Sequence, residues 1–405
     1  MSLRPTAKCS VILRALIRPK SIRVIAKYLA FAAAALALSG CKQGVDAWNE
    51  APVDHNKAKY EKLPLPAFPD YPAPQMQLSA GDSGVIYFST KSPYDFSRVL
   101  HGYDTAPDTT GKGTLVLPDG ASPDSPVPAM VILHGSGGIA DGREFTYAEL
   151  FADNGIASFV VDYYAPRGVT EETPYVMKTM ATTEVDIIAD AYSALKIIGT
   201  HPAIDASRIG VTGYSYGGMA TRYALDIRIK EIMAPDIPPF ALHMDLYGPC
   251  HQDTGSWRTT GAPYLAIYGD ADNSVDPETC SDVQDFLGVG GSEVESHIIA
   301  GAGHAWENSA PKGKFGQAYI RGCEFSWHPE TGIFMVNGKS GEFQPEPDMT
   351  REERAFVRSK LGSLAGGCIG MGYTAGNDPA ADAESKAWQL DFMKRHFNLS
   401  ITDKQ

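Results

Sequence analysis

The apolar segment near the N-terminus is too short to cross a bilayer, and the rest of the sequence is poor in positive charge. That segment has about a dozen residues, whereas a membrane-spanning helix needs about 20. Seven of the 35 basic residues and none of the 48 acidic ones lie in residues 1–40, so the remainder has a net charge of −20. A surface this acidic repels phosphate backbones, which excludes nucleic acid as an expected partner.

Cysteine is scarce as well. The chain has six cysteines, and no two of them have C-x-x-C spacing. No histidine lies at ligand spacing from them, and a zinc site needs such clusters of thiolate and imidazole ligands. We therefore expect no metal site. The chain also has no internal repeats, and its 43% of apolar residues are ample for a sizeable core.

The N-terminal region has the composition of a bacterial export signal. Its basic part precedes the apolar segment, and residues 38–41 (Leu-Ser-Gly-Cys) resemble the lipobox of bacterial lipoproteins. We expect residues 1–40 to be a lipoprotein signal peptide and Cys41 to carry lipid that anchors an exported protein to a membrane. Lys42, rather than aspartate, follows the cysteine and favours the outer membrane, on its periplasmic or cell-surface side. The alternative is an ordinary signal peptide cut near the same site.

Composition also predicts the division of the mature chain. Residues 41–80 are rich in proline, alanine and lysine, which is typical of an extended tether. Residues 81–405 are predicted to form one folded domain.

Export gives four further cysteines a role as disulfide partners. They are an even number in an oxidising compartment, and three connectivities are open to them. We expect two local bridges, because the members of each pair lie within one region of the chain: Cys250 with Cys280, and Cys323 with Cys368.

Apolar runs alternate with helical patterns through most of the domain. Residues 129–133 form a continuous apolar run, as expected of a strand buried on both faces. Residues 183–199 have apolar side chains near helical spacing, and Thr183 is a candidate N-cap. This alternation predicts an α/β fold with a doubly wound, mostly parallel sheet, in which ligands sit beyond the carboxyl ends of the strands.

An insertion at about residues 307–378 interrupts the alternation. Within it, residues 323–336 predict a β-hairpin and residues 348–364 a charged helix. Residues 380–397 then predict an amphipathic closing helix.

One glycine-rich turn points to nucleophilic chemistry. Gly213-Tyr214-Ser215-Tyr216-Gly217 follows a predicted strand and precedes a predicted helix, which is the pattern of a nucleophile elbow. The glycines are needed because a Cβ at either position would collide with neighbouring backbone. The alternative is an ordinary glycine-rich turn with a solvent-facing serine. The remaining motifs must decide between this turn and a nucleophile elbow.

An acid and a base follow the serine, each at the end of a predicted strand. Asp270, Asp272 and Asp276 are the candidate acids; the spacing favours Asp272, while Asp276 precedes a proline and suits a helix cap. Asp270 is the second choice. His304 leaves a strand on a Gly-x-Gly bend and is the candidate base. The order Ser215, Asp272, His304 is that of α/β-hydrolases.

Donors for an oxyanion hole are predicted on two loops. The backbone N–H of Tyr216 is one candidate, and Ser136 or Gly137 in the loop after the third strand supplies the other. His134 precedes the nucleophile and is expected to support that loop. Aromatic residues near these loops are candidates for lining a pocket, with plain core packing as the alternative: Tyr163, Tyr164, Tyr216 and Trp306.

Taken together, these motifs resemble the dienelactone hydrolase family of α/β-hydrolases. The resemblance covers roughly residues 80–306 and the closing helix, and residues 162–168 are similar to a loop that recurs in the family. Dienelactone hydrolases proper use a cysteine nucleophile where this chain has Ser215. The insertion is additional, and it could cover the pocket or form a partner surface.

The resemblance implies an α/β-hydrolase fold and a serine hydrolase that cleaves small-molecule carboxylic esters. Ser215, Asp272 and His304 would act as a triad through an acyl-enzyme, without a cofactor. The alternatives are a peptide or amide hydrolase on the same fold, and a binding lipoprotein without catalytic activity on a hydrolase scaffold.

Overall fold

The computed structural model describes residues 61–140, 142–256 and 258–399. The predicted signal peptide, the lipidation site Cys41 and the first part of the predicted tether lie outside these ranges. None of the helices within them is long and apolar enough to cross a membrane.

A mostly parallel sheet of eight strands forms the centre of the fold. The first nine strands of the chain are β1 (Gly84–Lys91), β2 (Asp108–Val116), β3 (Val127–Leu133), β4 (Ala157–Val161), β5 (Ile204–Tyr214), β6 (His243–Leu246), β7 (Gln252–Asp253), β8 (Tyr264–Gly269) and β9 (Val294–Ile299). All except β7 belong to this sheet, in the order β1-β2-β4-β3-β5-β6-β8-β9. The strands β1 and β2 pair antiparallel at one edge, and from β4 onward all pairings are parallel. The predicted α/β-hydrolase fold class is confirmed.

The helices of the described residues are α1 (Phe96–Gly102), α2 (Glu144–Asp153), α3 (Tyr175–Ala181), α4 (Glu184–Ile198), α5 (Tyr216–Tyr223), α6 (Ile227–Met233), α7 (Pro277–Val289), α8 (Arg351–Lys360), α9 (Gly362–Ala365) and α10 (Pro379–His396). Helices α4, α5 and α6 cover one face of the sheet and α2, α7 and α10 the other, while α8 and α9 belong to the insertion. Thr183 caps α4, as predicted: its side chain accepts from the Asp186 N–H, and the Asp186 carboxylate accepts from the Thr183 N–H.

The strand β3 shows why its sequence is apolar without alternation. Val131 and Leu133 join the core on one face of the sheet with α4, α5 and α6. Met130 and Ile132 join the core on the other face with α2, α7 and α10. Since successive side chains of a strand point to opposite faces, both sets must be apolar when both faces are covered.

The insertion contains its own small sheets. Its strands are β10 (Gly313–Ile320), β11 (Phe325–Trp327), β12 (Phe334–Val336), β13 (Lys339–Ser340) and β14 (Ile369–Ala375). The antiparallel pair of β11 and β12 is the predicted hairpin, and β11 also pairs with β7 of the main domain. The strand β10 pairs antiparallel with β14.

Both predicted disulfides are present. Cys250 bonds to Cys280, and Cys323 bonds to Cys368, with Cα atoms 5.0 and 5.5 Å apart. The second bridge joins the start of the hairpin to the start of β14, so it closes most of the insertion into one loop.

The boundary predicted between tether and domain, at residues 80 and 81, is too late. Residues 61–80 already lie against the domain: the Leu78 side chain is buried in the core, and its N–H donates to the Thr200 hydroxyl. The Leu63 N–H donates to the Glu352 carbonyl, and Arg351 donates to the Pro66 carbonyl. A proline-rich composition is shared by free tethers and by extended segments that pack on a surface, so composition does not separate them.

We predict that a buried histidine makes the fold sensitive to acid. His243 in β6 is fully buried, and burial lowers its pKa from 6.5 to about 4. The unfolded chain therefore binds more protons than the folded chain between these values, and the free energy of unfolding falls as the pH falls through this window, by about 3 kcal/mol for this residue.

Urea unfolding between about pH 7 and pH 4.5 measures this effect. The His243→Gln variant should show a shallower dependence, while His101→Gln, which changes an exposed histidine, should keep the full slope. Equal slopes in the wild type and His243→Gln would contradict the assignment.

Candidate active site

The elbow places Ser215 on a strained turn between β5 and α5. Its φ is +55° and its ψ is −112°, a backbone conformation that residues with a side chain rarely adopt. A Cβ at Gly213 would lie 2.2 Å from the Gly217 carbonyl oxygen, and one at Gly217 would lie 2.4 Å from the Leu133 carbonyl oxygen. The backbone of β3, β5 and α5 is therefore packed too closely for any residue but glycine.

Ser215, His304 and Asp272 form an unbroken chain of hydrogen bonds. His304 Nε2 lies 2.8 Å from Ser215 Oγ, and His304 Nδ1 lies 2.6 Å from Asp272 Oδ2. Because a carboxylate only accepts, Nδ1 carries the proton and Nε2 is left to accept from the serine hydroxyl. The side chains of His304 and Asp272 are both largely buried, at 9% and 0% exposure, which strengthens the interaction between them.

The three candidate acids have separate roles in the structure. Asp272 Oδ1 accepts from the Ser274 N–H at 2.9 Å and from its hydroxyl at 2.6 Å, which leaves Oδ2 directed at His304. Asp270 is exposed and accepts from the Gly301 N–H. Asp276 caps α7, as predicted. The sequence analysis did not identify Ser274, although a serine two residues after a loop aspartate is a usual partner for it.

The His304 loop is held by the insertion. The His304 N–H donates to the Thr374 carbonyl at 2.8 Å, and the Gly376 N–H donates to the His304 carbonyl at 2.9 Å. A Cβ at Gly303 would lie 2.7 Å from the Thr374 carbonyl oxygen, so the glycine permits this close approach. The Tyr373 ring packs edge-on against the imidazole. Strand β14 thus fixes the backbone of the histidine from outside the main sheet.

The loop after β3 lies beside the elbow. A Cβ at Gly135 would lie 3.5 Å from Ser215 Cβ. In the part of the chain that is described, the backbone N–H groups of Tyr216, Ser136 and Gly137 have no hydrogen-bond acceptor. They are available as donors, as an oxyanion hole requires.

His134 supports this loop with its buried ring. Its ring is fully buried and stacks on Tyr163, and its Nδ1 lies 2.7 Å from the Gly135 carbonyl. Burial lowers its pKa, so the imidazole is neutral and structural.

Of the two alternatives for the aromatic residues near these loops, pocket lining and core packing, the structure favours core packing for three. Tyr163 and Trp306 are fully buried, and Tyr164 is 4% exposed, so these side chains belong to the core. The Tyr163 hydroxyl donates to the carbonyls of His134 and Gly135, and the Tyr164 hydroxyl donates to the Ser136 carbonyl. Tyrosines that packing buries thus use their polar ends to hold the loop instead of facing a substrate.

A buried charged network behind the site was missed by the sequence analysis. The Tyr247 hydroxyl donates to Glu307, and the Tyr247 ring packs edge-on against His304. Arg143 lies between Glu144 at 2.7 Å and Glu307 at 3.8 Å, and it donates to the Gly138 carbonyl. Burial raises the pKa of the Glu307 carboxyl. The adjacent charges of Arg143 and Glu144 do not indicate in the sequence that Glu307, more than 150 residues away, is a further partner.

No group of three or more acidic, cysteine or histidine side chains in the described ranges is arranged to hold a metal ion.

Comparison with known proteins gives a family and distant structural relatives. The sequence profile of the dienelactone hydrolase family matches residues 112–324. A structure of a protein described as a dienelactone hydrolase from Klebsiella pneumoniae subsp. pneumoniae is 18% identical; the match covers 55% of this chain and 88% of that one, with a TM-score of 0.39. Esterase 2 of Thermogutta terrifontis, phosphonylated by cyclosarin, is 18% identical over 49% of this chain and 81% of that one, with a TM-score of 0.40. Its butyrate-bound form matches to the same extent, with a TM-score of 0.39. The curated proteins contain no match.

We predict that Gly217→Ala destabilises the protein by more than about 3 kcal/mol, or prevents folding, because the added methyl group meets the backbone of β3. Urea unfolding of the purified variant measures this loss. The matched control is Gly137→Ala, since a Cβ at Gly137 meets nothing within 4 Å. Similar stabilities for the two variants would contradict the described packing of the elbow.

Proposed function

The chain belongs to the dienelactone hydrolase family, and on that premise we propose that it is a serine hydrolase that cleaves carboxylic esters. The observation that carries the proposal is the unbroken hydrogen-bonded chain Asp272–His304–Ser215, which begins at a strained elbow. The family supports hydrolase chemistry, and the geometry supports a particular nucleophile, base and acid.

In the proposed first step, Ser215 attacks the acyl carbon of the ester. His304 Nε2, already 2.8 Å from the hydroxyl oxygen, takes the serine proton as the new C–O bond forms. Asp272 keeps the imidazole in the required tautomer and stabilises the imidazolium. The proton then passes from His304 to the alcohol oxygen, and the acyl–alcohol bond breaks.

The negative oxygen of the tetrahedral intermediate needs donors that are already in place. The Tyr216 N–H at the start of α5 is one, and its position at a helix N-terminus adds a favourable dipole. An N–H of the loop after β3, from Ser136 or Gly137, would be the second. Each such donor contributes about 3–4 kcal/mol to lowering the barrier in serine hydrolases.

In the second half of the reaction, water hydrolyses the acyl-enzyme with His304 again as the base. Water enters after the alcohol leaves, His304 takes one of its protons, and the oxygen attacks the acyl carbon. The proton returns to Ser215 as the acid product departs. Every step uses side chains of this chain and water.

We also propose that the protein acts outside the cytoplasm, anchored through Cys41. The lipobox-like sequence supports the anchor, and the two disulfides fit an oxidising compartment.

The nucleophile is tested by covalent labelling. A fluorophosphonate probe should label the wild type, because the activated hydroxyl attacks phosphorus as it would a carbonyl, and Ser215→Ala should remain unlabelled. Labelled bands on a denaturing gel provide the measurement. A folded wild type that is not labelled, or a Ser215→Ala variant that still is, would refute the mechanism.

Substrate class is tested on the same preparations. The wild type should hydrolyse short p-nitrophenyl esters and should leave aminoacyl p-nitroanilides intact. Faster turnover of the anilides would favour amide hydrolysis on this scaffold.

The assignment of the acid is tested by a matched pair of variants. Asp272→Asn should lower kcat by roughly 10⁴-fold, since an amide can donate to Nδ1 and so favours the wrong tautomer. Asp270→Asn, two residues away, should retain kcat within about threefold, because Asp270 bonds only the backbone of the Gly301 turn. Steady-state kinetics with a p-nitrophenyl ester give both values, and the reverse order would overturn the assignment.

A further inference from the structure

An ion pair between a partly exposed arginine and a buried carboxylate connects the insertion to the residue beside the nucleophile. Arg358 on α8 donates to Glu184 through both terminal nitrogens, at 3.1 Å to Oε1 and 2.8 Å to Oε2. Glu184 Oε2 also accepts from the Tyr216 hydroxyl at 2.9 Å. Arg358 and Glu184 are 174 residues apart in the sequence, and they meet directly behind the first turn of α5.

The carboxylate at the centre of this arrangement is charged and rigid. The Glu184 side chain is 1% exposed, and burial alone would raise its pKa, but Arg358 overrides that effect and the pKa is lowered. Glu184 is also the first residue of α4, where a helix N-terminus favours negative charge. A bidentate arginine–carboxylate pair fixes both partners in direction as well as in distance.

The Tyr216 hydroxyl therefore has a fixed anchor. It has one proton and two acceptors in reach, the Glu184 carboxylate at 2.9 Å and the Thr182 carbonyl at 3.2 Å, and the charged oxygen is the stronger acceptor. The Tyr216 ring is packed in the core, so the position of its hydroxyl constrains the backbone of the same residue. That backbone carries the N–H that we assign to the oxyanion.

The insertion therefore contacts the site at two places, the loop of the base and the turn of the nucleophile. Strand β14 holds the backbone of His304 through Thr374, and α8 reaches the nucleophile turn through Arg358. The Cys323–Cys368 bridge closes the loop that contains α8, and β14 begins directly after Cys368. A lid that opens with each turnover would have to break the bidentate Arg358–Glu184 ion pair and the backbone hydrogen bonds to His304.

We propose that Arg358 and Glu184 are positioning residues that hold the oxyanion donor of Tyr216 in place, so that the insertion is a fixed part of the active site. This inference rests on the proposed function. It predicts an effect on kcat with little effect on KM, because the donor is used in the transition state and not in substrate binding.

The test is a double-mutant cycle between Tyr216→Phe and Arg358→Met in the full-length protein, with kcat and KM for a short p-nitrophenyl ester as readouts. Fluorophosphonate titration gives the concentration of active sites. Each single variant should lower kcat by roughly tenfold to a hundredfold, as small misplacements of catalytic groups do. The double variant should be no slower than the slower single variant, because both changes break the same connection.

The matched control is Arg354→Met, one helical turn earlier on α8. Arg354 is also an insertion arginine paired with a carboxylate of the main domain, that of Asp95, at 2.6 Å, but none of its hydrogen bonds within the described residues leads to the elbow. It should lower Tm and leave kcat per active site unchanged. If Arg354→Met lowers kcat as much as Arg358→Met, the effect is a general loosening and the proposal fails.

A substitute variant and the labelling result separate a failure to fold, a failure of the inference and a failure of the proposed function. Arg358→Lys retains the charge but cannot bond both carboxylate oxygens, so it replaces Arg358→Met in the cycle if that variant does not fold, with a smaller loss of kcat expected. Additive effects in the cycle, or an unchanged kcat in a folded Arg358 variant, would overturn the inference alone. A wild type that the fluorophosphonate does not label would contradict the proposed function instead.

Discussion

The position of one imidazole is the constraint on which the rest of the site depends. His304 must reach Ser215 with one ring nitrogen and Asp272 with the other, and the two distances of 2.8 and 2.6 Å leave little freedom for its loop. Three loops at the carboxyl ends of β5, β8 and β9 supply these residues. Because parallel strands end at the same edge of a sheet, neighbouring loops meet there, and the sheet order β5-β6-β8-β9 sets how far each loop must extend.

The molecule holds this arrangement with contacts from outside the sheet. Strand β14 bonds the His304 backbone, Ser274 directs the Asp272 carboxylate, and the tyrosine hydroxyls of residues 163 and 164 fix the loop after β3. Behind them, Arg143, Glu144 and Glu307 form a buried charged network in which one guanidinium lies between two carboxylates. Such networks stabilise one geometry when their members are paired, which suits a site that must be organised before its substrate arrives.

Local sequence signals predicted the fold and named the three residues that the structure brings together, and the reasons are physical. Backbone contacts require glycine at 213 and 217, so the elbow can be recognised from a short sequence motif. The alternation of buried strands and helices specified the sheet, and proximity in sequence was enough to pair the four cysteines. Contacts between distant segments had no such signature: nothing near Arg358 indicates Glu184, and the proline-rich residues 61–80 have the same composition whether packed or free. For the aromatic residues beside the site, both a pocket and a core position were open, because packing, not residue type, decides which of the two a tyrosine occupies.

The most direct measurement of the central claim is a crystal structure of the protein after reaction with a phosphonate, whose tetrahedral phosphorus mimics the proposed intermediate. The account predicts a covalent bond from phosphorus to Ser215 Oγ, with the phosphoryl oxygen about 2.7–3.1 Å from the Tyr216 N–H nitrogen and from one backbone nitrogen of residues 136–137. His304 should remain bonded to Asp272. A phosphonate attached to another residue, or a phosphoryl oxygen that points away from Tyr216 into solvent, would contradict it.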